Sequence, residues 1–131
     1  MSPFAILYVE DNDDLRATIA ELLGGPDRTV TPCANSEEAL VACGAGHFDL
    51  VVTDVSLPGL SGTELARRLL EKNPAQWIVL CSGYKFDDHI AQLGPNVRSL
   101  PKPFEPEELD ELMNDIIAAV RGQPAAGKSS P

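Results

Sequence analysis

Asp54 closes a short apolar run, Phe48-Asp49-Leu50-Val51-Val52-Thr53-Asp54, just ahead of the breaker Leu57-Pro58-Gly59. A carboxylate at the exit of a buried strand does little for packing and is well placed for chemistry. Two other apolar runs also end on polar groups. Phe4-Ala5-Ile6-Leu7-Tyr8-Val9 leads into Glu10-Asp11, and Trp77-Ile78-Val79-Leu80-Cys81 leads into Ser82-Gly83. Glu10, Asp11 and Asp54 brought together without a cation would repel, and some would have to protonate. A hard divalent cation resolves the conflict. Mg²⁺ prefers oxygen ligands, takes few carboxylates and keeps positions for water and phosphate. Ser82-Gly83 adds a hydroxyl and a backbone amide that can be approached closely. Lys102, between Pro101 and Pro103, adds a point charge suited to phosphate, and the Lys102–Pro103 bond is a candidate for the cis form. Together these residues read as a phosphoryl-transfer set. Asp54 is the nucleophile that forms an aspartyl phosphate, the cation neutralises charge, and Ser82 and Lys102 hold phosphoryl oxygens. Asp13 and Asp14 are read differently, as first-turn acids that favour a helix dipole.

The elements that must position this set alternate along the chain. After the strand at 4–9, an amphipathic stretch from Asp13 to about Gly24 puts Leu15, Ile19, Leu22 and Leu23 on one helical face. Gly24-Gly25-Pro26 stops it. A weaker strand spans 28–34, with Val30 its one large apolar residue. Asn35 or Ser36 caps a helix that ends near Gly44 or Gly46. The strand at 49–53 follows, then a helix carrying Leu65, Ala66, Leu69 and Leu70 as far as Asn73-Pro74. The strand at 77–81 precedes a short, broken segment at 86–96, and 97–100 is a last short strand. In the final helix Leu109, Leu112, Met113, Ile116, Ile117 and Val120 share one face. From Gly122 onward the composition predicts a disordered tail. Five strands alternating with five helices, the fourth shortened, predict an α/β fold with a parallel sheet covered on both faces. Ligands of such open sheets sit beyond the carboxyl ends of the strands, where the polar residues fall.

The chain has 131 residues, enough for one domain with a useful core. Its net charge of −10 argues against direct binding to nucleic acid or anionic lipid. No apolar stretch approaches a membrane span and no signal peptide is evident, so the expected location is the cytoplasm. Cys33, Cys43 and Cys81 lack metal-ligand spacing and read as small hydrophobes in a reducing compartment.

The segments Val9-Glu10-Asp11-Asn12, Asp54 with Leu57-Pro58-Gly59 and Gly62, Ser82-Gly83, and Lys102-Pro103-Phe104 occur in that order. On these residues, over about 4–121, the chain resembles the receiver domain of bacterial two-component response regulators. The resemblance implies a flavodoxin-like sheet of order 2-1-3-4-5. It implies Asp54 as phosphoacceptor, and Glu10 and Asp11 as the acidic pair for Mg²⁺ with the Ser56 backbone carbonyl as a further ligand. Ser82 is implied as the switch hydroxyl and Lys102 as the lysine that contacts the phosphoryl group. Implied partners are a sensor histidine kinase or a histidine phosphotransfer protein, together with a downstream protein. Two departures stand out. The family often has an aromatic residue three positions before the lysine, and here that residue is Ser99. Segment 86–96 is too short for a full fourth helix, which weakens the dimer face that many relatives build there. Tyr84 is a possible partial substitute for the aromatic residue.

The Ser-Gly-Tyr and Leu-Pro-Lys-Pro-Phe phrasing is similar to receivers attached to hybrid sensor kinases. Only ten residues follow Arg121, so the chain is either a stand-alone regulator, which Met1 and the tail favour, or a receiver cut from a longer chain. A Mg²⁺-dependent phosphatase with an aspartyl nucleophile is the competing class. It needs a second acid two residues after the nucleophile, where this chain has Ser56. A flavodoxin-type carrier would want a phosphate loop after the first strand, and Glu10-Asp11-Asn12-Asp13-Asp14 would repel phosphate there. The expected reading is a signalling switch rather than an enzyme.

Overall fold

A computed structural model describes residues 3–83 and 92–122. Strand β1 (Phe4–Val9), helix α1 (Asp13–Leu23), β2 (Arg28–Cys33), α2 (Ser36–Ala45), β3 (Leu50–Asp54), α3 (Gly62–Lys72), β4 (Trp77–Ser82), β5 (Val97–Pro101) and α4 (Pro106–Val120) follow one another along the chain. The strands form one parallel sheet of order β2-β1-β3-β4-β5, the flavodoxin-like order. Parallel neighbours need crossover connections, and among the described residues α1, α2 and α3 are such connecting elements.

Side chains alternate between the two faces of the sheet, and each face has its own core. Ile6, Tyr8, Val52, Val79 and Cys81 meet Ile19 and Leu23 of α1 and Leu109, Met113 and Ile116 of α4. Leu7, Val9, Val51, Ile78 and Leu80 meet Ala39 of α2 and Leu65, Ala66, Leu69 and Leu70 of α3. Burial on both sides is why β3 and β4 are continuous apolar runs. β2 is an edge strand, half covered, and carries Pro32 at a position where a missing amide is tolerated.

Helix starts are set by side-chain caps. The Asn12 side chain accepts from the Leu15 amide, Asn35 from Glu38, and Ser61 from Glu64. Asn35, not Ser36, is the cap of α2, because the buried Ser36 hydroxyl donates to the Leu60 carbonyl instead. Glu105 and Glu108 form a reciprocal capping box that opens α4, with Pro106 in its first turn.

One expected face needs correction. Ile19 and Leu23 of α1 are buried, but Leu15 and Leu22 are 38% and 43% exposed. The sheet covers only part of the apolar stripe, and these two leucines lie at its margins. There Leu15 borders a cleft with Phe104, and Leu22 borders a groove with Leu109 and Met113. Four helices lie among the described residues. Most of the segment expected to form a short fourth helix, Tyr84, and the expected tail beyond Gly122 lie outside them. Cys33 and Cys81 are buried, Cys43 is half-buried, and all three are free thiols.

Candidate functional site

The strand register brings the site together. Val9 pairs with Thr53, Asp54 with Cys81, Cys81 with Leu100, and Ser82 with Pro101. Glu10 and Asp54 therefore stand level, with Ser82 one residue and Lys102 two residues further on, at the carboxyl ends of four different strands. A one-residue slip in any pairing would turn a strand's side chains to the other face of the sheet. The backbone closes this arrangement. The Val55 amide donates to the Cys81 carbonyl (2.9 Å), and the Lys102 amide donates to the Ser82 carbonyl (2.7 Å). The Lys102–Pro103 peptide bond is cis.

Lys102 is the hub of the ionic contacts. Its Nζ lies 2.9 Å from Asp54 Oδ1 and 3.5 Å from Glu10 Oε1. Burial alone would lower the lysine's affinity for its proton. The hydrogen bond and charge of Asp54, with Glu10 behind it, more than offset that and hold its pKa above the ordinary value. Carboxylate oxygens of Glu10, Asp11 and Asp54 all lie within 4.8 Å of one another.

Glu10 is only 3% exposed, an unusual place for an acid. Its pKa is raised, first by burial and then by Asp11 and Asp54. The Asn12 amide, donating to Oε2 at 3.0 Å, and the Lys102 charge act in the opposite direction. Asp11 is exposed at the mouth of the site, and Ser56 is exposed on the loop two residues beyond Asp54. Ser82 is buried at the end of β4. The donor set is all oxygen and carries more negative charge than one lysine balances, so it fits a hard divalent cation.

Gly62 sets how closely α3 approaches the site. A Cβ at this position would run into the Asp54 carbonyl, while the Gly62 amide donates to Val55 O at 3.0 Å. Gly59, at φ +74°, makes the turn between β3 and α3. Beside the acids opens a cleft of about 430 Å³, walled by Tyr8, Leu15, Ile19, Cys81, Pro103 and Phe104. Burial pushes the Cys81 thiol up to about 12 and raises the Tyr8 phenol as well, so neither ionises near neutrality.

Two neighbours of the site were not apparent from the sequence. Tyr8 reads as one more apolar strand residue, yet it lines the cleft. Arg16 reads as a polar-face helix residue, yet its guanidinium reaches back to the Glu10 carbonyl. The one available signal for Arg16 was its spacing of three from Asp13 on a helix.

This geometry has counterparts among known proteins. Residues 6–114 match the family model of the response regulator receiver domain. The positive alginate biosynthesis regulatory protein of Pseudomonas aeruginosa is 32% identical over 137 residues, covering 96% of this chain and 55% of that protein. The transcriptional regulatory protein TcrA of Mycobacterium tuberculosis is 34% identical over 128 residues, covering 95% and 49%. The chain thus spans about half the length of these curated relatives. Among solved structures, the response regulator TrrA of Thermotoga maritima, in complex with Mg(2+)-BeF, superposes with a TM-score of 0.77 at 28% identity, covering 88% of this chain and 99% of that one. With the sheet order, the position of the acids and a family match that spans most of its length, the chain belongs to the response regulator receiver domain family.

Proposed function

We propose that this chain is a phosphorylatable receiver of a two-component phosphorelay, with Asp54 as the acceptor. The observation that carries the reading is Lys102 Nζ, 2.9 Å from Asp54 and 3.5 Å from Glu10, inside a cluster of three acids whose oxygens lie within 4.8 Å of each other. A phosphohistidine of a sensor kinase or phosphotransfer protein is the donor. An Asp54 carboxylate oxygen attacks phosphorus, the N–P bond breaks, and the imidazole leaves with the electron pair and takes up a proton. Glu10, Asp11, Asp54 and the Ser56 backbone carbonyl would hold Mg²⁺, whose bound charge offsets that of the transferring group.

The remaining steps belong to the chain's own side chains. Lys102, already held at Asp54, exchanges part of that contact for a phosphoryl oxygen. The Ser82 hydroxyl, at the end of the neighbouring strand, donates to another. Gly62 lets α3 come close enough to fix the loop that follows Asp54. The product is a signal, read by protein contact or passed to another histidine, rather than a released compound. We take residues 1–121 as the receiver unit, 122–131 as a tail, and the cytoplasm as its location. No helix among the described residues is long and apolar enough to cross a membrane.

A second reading places this receiver within a longer sensor kinase. It is favoured by similarity to the sensor kinase CckA of Brucella abortus, 31% identical over 116 residues that make up 12% of that protein. The phosphatase reading is disfavoured because Ser56 stands where its general acid would be. The test is intact mass after incubation with Mg²⁺ and a small phospho-donor. One base-labile phosphoryl group is expected on the native chain and none on Asp54→Asn. An adduct that persists in Asp54→Asn, or steady release of phosphate at enzyme-like rates, overturns the reading.

A further inference from the structure

Arg16 lies in the second turn of α1, and its side chain turns back toward the end of β1. One terminal nitrogen donates to the backbone carbonyl of Glu10 at 2.8 Å, and the other donates to Asp13 Oδ1 at 2.6 Å. The Arg16 side chain is 21% exposed and that of Asp13 86%, and the contact to the Glu10 carbonyl is the part-buried one of the two. The turn between them is held at every step. The Glu10 amide donates to Cys33 O, the Asn12 amide donates to Glu10 Oε2, and the Asn12 side chain caps the helix at Leu15. The Arg16 amide itself closes the first helical turn on Asn12 O. Glu10 thereby has its amide, its carbonyl and one carboxylate oxygen committed within the protein. The other oxygen, Oε1, lies 3.5 Å from Lys102 Nζ.

We infer that Arg16 is the positioning residue of the acidic turn. It clamps the Glu10 carbonyl and Asp13 so that the carboxylates of Glu10 and Asp11 face Asp54 as cation ligands. This rests on the reading of those three acids as a divalent-cation site. A guanidinium suits the role because its planar fork bridges two oxygens that a lysine ammonium meets only one at a time. It also spares the ligands, because both of its bonds go to oxygens outside the set of three carboxylates. Backbone and helix are tied at one point, and Arg16 takes up no carboxylate oxygen of the three acids.

Positioning and simple electrostatics give opposite signs for the loss of Arg16. Arg16 is a cation beside a cation site, so by charge alone its removal would tighten Mg²⁺ binding. If it acts by positioning, removal weakens binding. The experiment is a calorimetric titration of Mg²⁺ into the full chain at fixed ionic strength, for native, Arg16→Ala, Arg16→Lys and Arg16→Gln proteins, with thermal melts in the absence of the ion. Loss of partners that orient metal ligands costs roughly 10- to 100-fold in affinity. Arg16→Ala is therefore expected to raise the Mg²⁺ Kd at least about tenfold. Arg16→Lys and Arg16→Gln, each of which keeps one N–H donor for the carbonyl, should fall between it and the native chain. Equal or tighter binding by Arg16→Ala, or full recovery by Arg16→Lys, overturns the inference. Should Arg16→Ala fail to fold, Arg16→Gln is neutral and carries the same opposition of signs. The titration is independent of phosphorylation. A native chain that binds Mg²⁺ but forms no Asp54 adduct sinks the functional reading and leaves this comparison standing. One that binds no Mg²⁺ sinks both.

Discussion

Glu10 concentrates the conflict at this site. It is an acid with almost no exposed surface, two acidic neighbours and one lysine 3.5 Å away. Its pKa is raised above the ordinary 4.5, by burial first, so in the absence of a divalent cation the folded chain holds its proton more tightly than the unfolded chain does. A raised folded pKa gives stability that is complete below the unfolded value and lost as pH rises through the folded one. Without divalent cations, the native chain is therefore expected to lose more stability than Glu10→Gln between pH below 4.5 and neutrality. Denaturant midpoints across that range check it, and parallel pH profiles for the two chains would contradict it. At this scale much of the site was legible, because Asp54, Glu10, Asp11, Ser82 and Lys102 each follow an apolar run or sit between prolines. Arg16 was not legible. Its role lies in reaching a backbone carbonyl, and no residue type in the sequence marks a carbonyl as needing a donor.

Elements carry the precision of the site through short contacts between strand ends and helix starts. Gly62 is the tightest of these, since α3 begins against the Asp54 carbonyl. Gly62→Ala must push the helix or the loop outward, at a cost of about 1–3 kcal/mol for forced overpacking. Urea unfolding should show that loss, together with slower formation of the Asp54 adduct. A fully stable Gly62→Ala chain would mean that the helix start yields freely. The final helix was legible because its apolar positions recur at helical spacing over about three turns, and the structure buries Leu109, Met113 and Ile116 from that set. The α1 face was only partly legible. Periodicity reports which residues share a side of a helix, not how much of that side the sheet covers, so Leu15 and Leu22 were expected inside and lie at the margin. The end of β3 reaches Asp54 itself, one residue beyond the apolar run, because pairing with Cys81 continues after hydrophobicity stops.

The whole molecule places its chemistry on one edge. The sheet is buried on both faces, and four strand ends deliver the acids, the hydroxyl and the lysine to a single site. The order of the sheet was legible only through resemblance, since alternation of strands and helices gives a parallel sheet but not which strands are neighbours. A ligand that binds only the folded chain stabilises it by about 2.7 kcal/mol at a hundred times its Kd. Mg²⁺ should therefore raise the thermal midpoint of the native chain, and Asp11→Asn should respond less. Identical melts with and without Mg²⁺ would count against the acid cluster as its site. The most direct measurement of the central claim is to locate the phosphoryl group. After incubation with Mg²⁺ and a small phospho-donor, borohydride reduction of an acyl phosphate converts the acceptor aspartate to homoserine, which peptide mass spectrometry places by position. Homoserine is expected at position 54 and nowhere else. Its appearance at another acid, or its absence from a phosphorylated chain, would contradict the central claim.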